Sequence, residues 1–312
     1  MPSLNISKDI NSTDQVVSCI RNLEFYQRIF LATLNIPSAM ITLIGNSLVI
    51  LALLKTTSLH PPSKVFLGSL ALTDLCVGVV SQPFYVMILL LQGKICLYLQ
   101  IIAIISITLF GGVSLLTVTA ISVDRLLALK MMLRYKQVVT SRRTRFTVVI
   151  FWLVSVIISI MLVVNSFIIL HIICTVLLLC TVTSTFCYAR IYNILRHHQN
   201  QIQVIHVQAA PLSEGSSSLI ATSQYKKTVS SAIWVQGVFL ACYSPYLFAI
   251  IFILTGTSIS SFPFFWELAV SLVLFNSSLN PFIFCWKIYG VRKAAKDVIK
   301  SWCWFVINST CL

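Results

Sequence analysis

Few residues in this 312-residue chain are equipped for chemistry, and most of them sit in apolar surroundings. Asp74 stands in the run LALTDLCVG, and Asn46 (IGNSLVI), Ser114, Asn276, Ser277 and Asn280 (FNSSLNPF) stand in other apolar runs. One carboxylate among neutral oxygens in such settings supports two kinds of chemistry. The groups can form a hydrogen-bonded plug that orients helices, or a sodium or proton site whose occupancy depends on conformation. The residue types leave both open. Asp124 and Arg125 (SVDRLLAL) form an adjacent charge pair, which either caps a helix end or serves a partner. Nothing supports enzymatic chemistry: no zinc-ligand spacing or nucleophile–base set is present, and His171 is isolated in apolar sequence.

The elements that must position these groups follow from hydropathy. Hydrophobic residues make up 58% of the chain and charged residues 10%, against roughly 25% charged in soluble domains. Hydrocarbon penalises charge, so the deficit points to a bilayer and away from a soluble protein. A membrane helix needs about 20 mainly apolar residues. Seven segments qualify, at 29–54, 64–92, 97–129, 145–164, 166–195, 227–255 and 263–286. The expected fold is all-α, a seven-transmembrane-helix bundle. Pro61 and Pro62 stop the chain between the first two spans. From Phe146 to Cys187 no lysine or arginine interrupts the sequence. A single helix of about 40 residues would be about 60 Å long, twice the membrane. The segment must fold back, and the adjacent polar pair Asn165 and Ser166 places the turn. Residues 196–225, with Pro211, Gly215 and a serine run, read as a flexible loop. Pro245 and Pro281 interrupt the sixth and seventh spans.

Three regions result: a tail at 1–28, the membrane domain at 29–286, and a terminal segment at 287–312. With the N-terminus outside, all but Lys8, Arg21, Arg28 and Lys94 of the 22 lysines and arginines fall on the cytoplasmic side. The net charge of +14 is then an orientation signal, not a nucleic-acid footprint. The expected location is the plasma membrane, multi-pass, with an extracellular N-terminus. Asn5 and Asn11 head glycosylation triplets on that tail. No apolar leader follows Met1, so the first span is expected to act as its own insertion signal.

GN-x-x-V in the first span, L-x-x-x-D in the second, D-R in the third, Trp152 in the fourth, Tyr188 in the fifth, C-Y-S-P in the sixth and N-P-x-x-F in the seventh occur in order. Together they resemble the rhodopsin-like (class A) G-protein-coupled receptors over residues 25–303. The resemblance implies a heterotrimeric G protein as partner and an extracellular ligand. It also implies a sodium pocket at Asp74, Ser114, Asn276 and Asn280, with Asn46 beside it. Arg125, paired with Asp124, is similar to the arginine that meets the G protein, with Tyr188 near it and Leu133 packing on that partner. Phe239, Tyr243 and Pro245 look like the toggle region beneath the ligand, and Pro281 and Phe284 belong to the seventh-helix switch.

The chain departs from the family pattern in several places. Tyr243 replaces the usual tryptophan, and Leu126 follows Asp124-Arg125 where the family has tyrosine. Phe284 lacks the hydroxyl that would bridge through water to Tyr188. The acidic partner near the base of the sixth helix is absent; QYKK stands there. A lock to Arg125 cannot form from that position, so raised basal activity is expected. Cys180 stands where most members have a fifth-helix proline. That substitution and the short connection between spans four and five are similar to the melanocortin group.

Ligand classes can be tested against the resemblance. Amine receptors need an aspartate where Ile107 stands, and opsins need a lysine where Leu274 stands. Melanocortin peptides need acids on helices two and three, where this chain has Phe84, Gln100 and Ile104. Adenosine recognition needs asparagine at Ile250. What remains is a mostly apolar pocket with Phe84, Ile104, Ile107, Thr108, Tyr243, Tyr246 and Leu274, and Glu267 near the outer mouth. Apolar walls with few polar anchors suit a small apolar or lipid-like ligand, with a peptide next. The same side chains also suit plain lipid or core contact.

The family disulfide is missing its helix-three cysteine, since Gln100 stands there. Cys19 and Cys96 are the two cysteines placed outside, and a bridge between them is one expectation. After residue 287 a basic amphipathic segment presents Ile288, Val291, Ala295 and Val298 on one face, with Lys287, Arg292, Lys293, Lys296 and Lys300 supplying charge. It reads as a short helix eight at the membrane surface, touching lipid, with Cys303 as a palmitoylation candidate. A channel or transporter, or a heptahelical protein that does not signal, are the rival functions. A channel would want charge along several spans, whereas buried charge concentrates at Asp74.

Overall fold

The computed structural model describes residues 23–56, 59–91, 95–131, 134–164, 166–208, 236–257, 261–287, 290–298 and 300. Seven helices long and apolar enough to cross a membrane occur among them. They are α1 (Phe25–Lys55), α2 (Pro61–Leu90), α3 (Ile95–Met131), α4 (Ser141–Val164), α5 (Ser166–Gln208), α6 (Gln236–Leu254) and α7 (Pro263–Lys287). A shorter helix, α8, covers 290–298. The protein is a seven-transmembrane-helix bundle with a terminal surface helix.

Local chemistry sets several of these bounds. The Gln27 side-chain oxygen accepts the Glu24 backbone N–H at 3.1 Å and closes the start of α1. Pro61 and Pro62 open α2, where proline costs no hydrogen bond. Within α2, Val77–Ser81 widens into a π turn just before Pro83. Proline lacks the N–H that would bond four residues back and crowds that carbonyl, and the wider turn accommodates both. Helices α6 and α7 run through Pro245 and Pro281 without ending.

Two sequence expectations are sharpened. Helix α4 ends at Val164 and α5 begins at Ser166, on either side of the expected fold-back; residue 165 lies outside the described residues. The loop expected from residue 196 does not begin there, because α5 continues to Gln208. The physical reason is that no proline or glycine occurs before Pro211, so polar sequence alone does not stop the helix.

The outer surface of the bundle is apolar: Leu54, Phe146, Leu179 and Phe282 are exposed, as a hydrocarbon surround requires. The interior holds two large clusters. One, toward the Arg125 end, joins Val49, Leu70, Leu115, Phe239, Tyr243 and Phe284. The other, toward the opposite end, joins Leu31, Tyr85, Ile250, Trp266 and Leu274. In α8, Val291, Ala294, Ala295 and Val298 are buried while Arg292, Lys293 and Lys296 are exposed, the three–four spacing of an amphipathic helix. Three of those residues pack into the first cluster, so α8 is docked on the bundle as well as presenting its basic face.

Candidate functional site

Close approach of α1 and α7 builds the site's frame. A Cβ placed on Gly45 would stand 2.8 Å from the ring carbons of Pro281. Only glycine permits that contact, which explains the GN and NP pairing across the bundle. One residue on, Asn46 donates from Nδ2 to the backbone oxygens of Thr42 (3.0 Å) and Ser277 (3.1 Å), crossing from α1 to α7.

Asp74 is fully buried. Its Oδ2 accepts from Asn280 Nδ2 at 2.8 Å, and the Ser277 side chain also bears on the carboxylate. Its Oδ1 has no partner, and neither do Asn46 Oδ1 and Ser114 Oγ. Unpartnered buried oxygens ask for water or an ion. All three are hard oxygen donors and one belongs to a carboxylate, a set that fits a cation of low charge. Asn276 is also buried, on the same helix as Asn280. No cluster of three or more histidine, cysteine or acidic side chains occurs among the described residues, so a transition-metal centre of that kind is not formed there.

The Asp124–Arg125 pair lies toward the other end of α3. Asp124 is buried and accepts from Tyr135 Oη at 2.6 Å and Ser63 Oγ at 3.2 Å. Tyr135 sits on the one-turn helix Tyr135–Val138. Burial first, and the bond to Asp124 next, push its phenol well above the usual tyrosine value, so it remains a donor. The Arg125 guanidinium stands 3.8 Å from Asp124 and is partly exposed, at 28%. Near it, Tyr188 packs with Ile191, Leu126 and Leu129, yet its hydroxyl has no partner. Phe284 is buried in the central cluster and supplies no hydroxyl to meet it.

Expected pocket residues separate into groups. Tyr243 stacks on Phe239 with centroids 4.3 Å apart. Tyr246 lies between the two large clusters, and Ile107 and Leu274 join it in the second. Phe84 packs with Ile107 around Ile88 and Ala103. Ile104 and Thr108 are half-buried and Gln100 is buried, all on α3. Of these side chains, Tyr243, Leu274 and Gln100 are buried, and Phe84, Ile107 and Tyr246 pack against interior clusters. Trp152 meets Phe110 edge to face at 6.2 Å, tying α4 to α3.

Glu267 corrects one expectation. It stands near the outer end of α7, yet it is 3% exposed, and Tyr85 Oη donates to its Oε2 at 2.8 Å. Buried carboxyl groups therefore stand at Asp74, Asp124 and Glu267, not at Asp74 alone. Helix α7 turns Glu267 toward α2 because Ser271 and Glu267 share a face four residues apart. Sequence reasoning also missed Tyr85, Ser271, Asn35 and Gln82. The signal was present: Asn35, Ser38, Thr42 and Asn46 recur every three or four residues in an apolar helix.

Asn5, Asn11, Cys19, Leu133 and Cys303 lie outside the described residues, as does the QYKK segment, and the Cys96 side chain is likewise not described. The sequence profile of the seven-transmembrane receptors (rhodopsin family) matches residues 45–167 and 163–284. Melanocortin receptor 4 of Danio rerio is 23% identical over 298 residues, covering 92% of this chain and 89% of that protein.

Proposed function

Because the chain belongs to the rhodopsin family of seven-transmembrane receptors, we propose that it converts binding of an extracellular ligand into activation of a heterotrimeric G protein. It is a multi-pass membrane protein of a signalling family, not of an enzyme class. In this reading it sits in the plasma membrane with its N-terminus outside, so the Arg125 end faces the cytoplasm.

The observation that carries the reading is the arrangement around Arg125. Asp124 is occupied by Tyr135 and Ser63, and the guanidinium beside it is partly exposed at one end of the bundle. Asp124, Arg125, Leu133 and Tyr188 form the coupling surface. An agonist favours the arrangement in which α6 stands away from that end, a population shift between two states. Asp74, with Asn46, Ser114, Asn276 and Asn280, holds a sodium ion in the resting state. The interior side chains around Ile107, Tyr246 and Leu274 support a small apolar or lipid-like ligand. The resemblance's missing acid, with QYKK in its place, predicts raised basal signalling.

A G-protein dissociation panel in cells expressing the chain or Arg125→Ala tests the proposal. Basal or ligand-driven dissociation that the substitution removes supports it. If no G protein responds to a broad ligand library, and the basal level is the same with and without Arg125→Ala, the coupling claim fails.

A further inference from the structure

Helices α1, α2 and α7 meet along a seam of polar side chains that continues from Asp74 toward the opposite end of the bundle. At its far end Tyr85 Oη lies 2.8 Å from Glu267 Oε2, 3.0 Å from the Glu267 backbone oxygen and 3.2 Å from Ser271 Oγ. Ser271 in turn accepts from Asn35 Nδ2 at 3.0 Å. Three helices thus converge on one buried carboxyl group. No ion pair joins Glu267 to a basic side chain among the described residues.

A buried carboxylate without counter-charge is costly, and one phenol hydrogen bond leaves most of that cost in place. Acceptor oxygens continue below. Gln82 Nε2 donates to Ser38 Oγ at 2.9 Å, which leaves Gln82 Oε1 without a partner. Ser81 Oγ has none either, and both residues are fully buried. Ser81 ends the π turn Val77–Ser81 and Gln82 follows it. Such a turn re-aims the side chains next to it. Between Glu267 and Asp74, the unpartnered atoms on α1 and α2 are all oxygens: Gln82 Oε1, Ser81 Oγ, Asn46 Oδ1 and Asp74 Oδ1. Buried oxygens without partners, with a carboxyl at each end of the seam, are complementary to positive charge.

We propose that Glu267, with Tyr85 and Ser271, forms a second cation site at the outer end of the α1–α2–α7 seam, distinct from the one at Asp74. Its occupant is a monovalent metal cation or the ammonium group of a ligand, which share the same chemistry. The proposal deepens the receptor reading, since the ammonium source requires an extracellular ligand and the metal source shares the seam with Asp74.

The test uses the full chain purified into nanodiscs of uncharged lipid. Its melting temperature is measured in sodium, potassium or methylammonium chloride, replaced at constant ionic strength by bulky N-methyl-D-glucamine chloride. The Asp74→Asn receptor, with Glu267 intact, is expected to keep a cation-dependent rise in melting temperature. Adding Glu267→Gln should move the midpoint of that rise at least about tenfold higher, the size of a lost charge-assisted contact. Glu267→Asp should restore part of it. Should Glu267→Gln fail to fold, Tyr85→Phe keeps the carboxyl and is expected to shift the same midpoint. A response to sodium alone assigns a metal station, and a response to methylammonium assigns a ligand ammonium.

The proposal is overturned if Asp74→Asn alone abolishes every cation response. It is equally overturned if Glu267→Gln leaves the midpoints where they were. Either result leaves sodium at Asp74 standing. Conversely, a sodium response unchanged by Asp74→Asn and removed by Glu267→Gln defeats the Asp74 assignment and keeps the outer site.

Discussion

The two sides of the bundle are built differently. The spans of α2 and α7 are 56% and 67% buried at their most apolar, those of α5 and α6 28% each. On the α1–α2–α7 side, side chains bond across every helix boundary: Asn35 to Ser271, Gln82 to Ser38, Tyr85 to Glu267 and Asn280 to Asp74. On the α5–α6 side such cross-helix bonds are nearly missing among the described residues. Tyr188 Oη and both amide atoms of Gln236 are buried without partners, and Ser184 reaches Thr119 only at 3.4 Å. Polar groups satisfied across an interface hold its register. An interface with few such bonds is freer to shift. The difference assigns α1, α2 and α7 to a fixed frame and α5 and α6 to the part that moves.

The largest expected effect lies at the Arg125 end of α3, against which Tyr188 and Ile191 of the moving side pack. Arg125→Ala should lower G-protein activation by at least about tenfold, or roughly 1.4 kcal/mol, with surface expression unchanged. Normal activation by a folded Arg125→Ala receptor would remove that end of the comparison. Next comes Tyr135→Phe, which takes one donor from Asp124. A hydrogen bond to a charged group is worth about 1.5–3 kcal/mol. Loosening Asp124 should raise basal signalling several-fold, to be read as ligand-independent second messenger. The Tyr135 contact is fully present below the ordinary tyrosine value of about 10 and is lost only as pH rises toward the raised one. Changing the pH from 6 to 8 should therefore leave this contact intact.

Gly45→Ala attacks the frame. The added methyl meets the Pro281 ring at 2.8 Å, and a proline ring has little freedom to yield. Overpacking costs about 1–3 kcal/mol, which outweighs the gain of up to about 1 kcal/mol that alanine brings to a helix interior. The melting temperature in nanodiscs should fall. A stable Gly45→Ala receptor would show that the α1–α7 contact relaxes freely and is no frame.

How much of this was legible in the sequence depends on the kind of signal. The spans were legible because hydrocarbon imposes length and composition, and even the division between α4 and α5 followed from a helix twice too long. The end of α5 was not, since polarity marks where the membrane stops and not where a helix stops. Asp74, Asn280 and Arg125 were legible because charge and amide groups are conspicuous in apolar runs. Glu267 was found near the outer mouth, but its burial was not legible, because a residue four positions inside a helix start can be open or covered depending on what packs above it. Tyr85 was missed because tyrosine is common in membrane helices, and only its partner Glu267 gives the hydroxyl a role. The Gly45–Pro281 contact needs two helices in register, which one sequence does not disclose.

The smallest effect has the opposite sign and separates the two sides most directly. Gln236 is 4% exposed and neither its Nε2 nor its Oε1 is hydrogen-bonded. Burying an amide without partners carries a desolvation cost that leucine, of similar length, does not. Gln236→Leu should therefore stabilise the arrangement described here by about 1 kcal/mol, raising the melting temperature and lowering basal signalling together. On the frame side the same change, Gln82→Leu, removes the bond to Ser38 and should lower the melting temperature. If both substitutions shift stability in the same direction, the two sides are not a frame and a mover, and the unpartnered amide of Gln236 belongs to the fixed packing of α6.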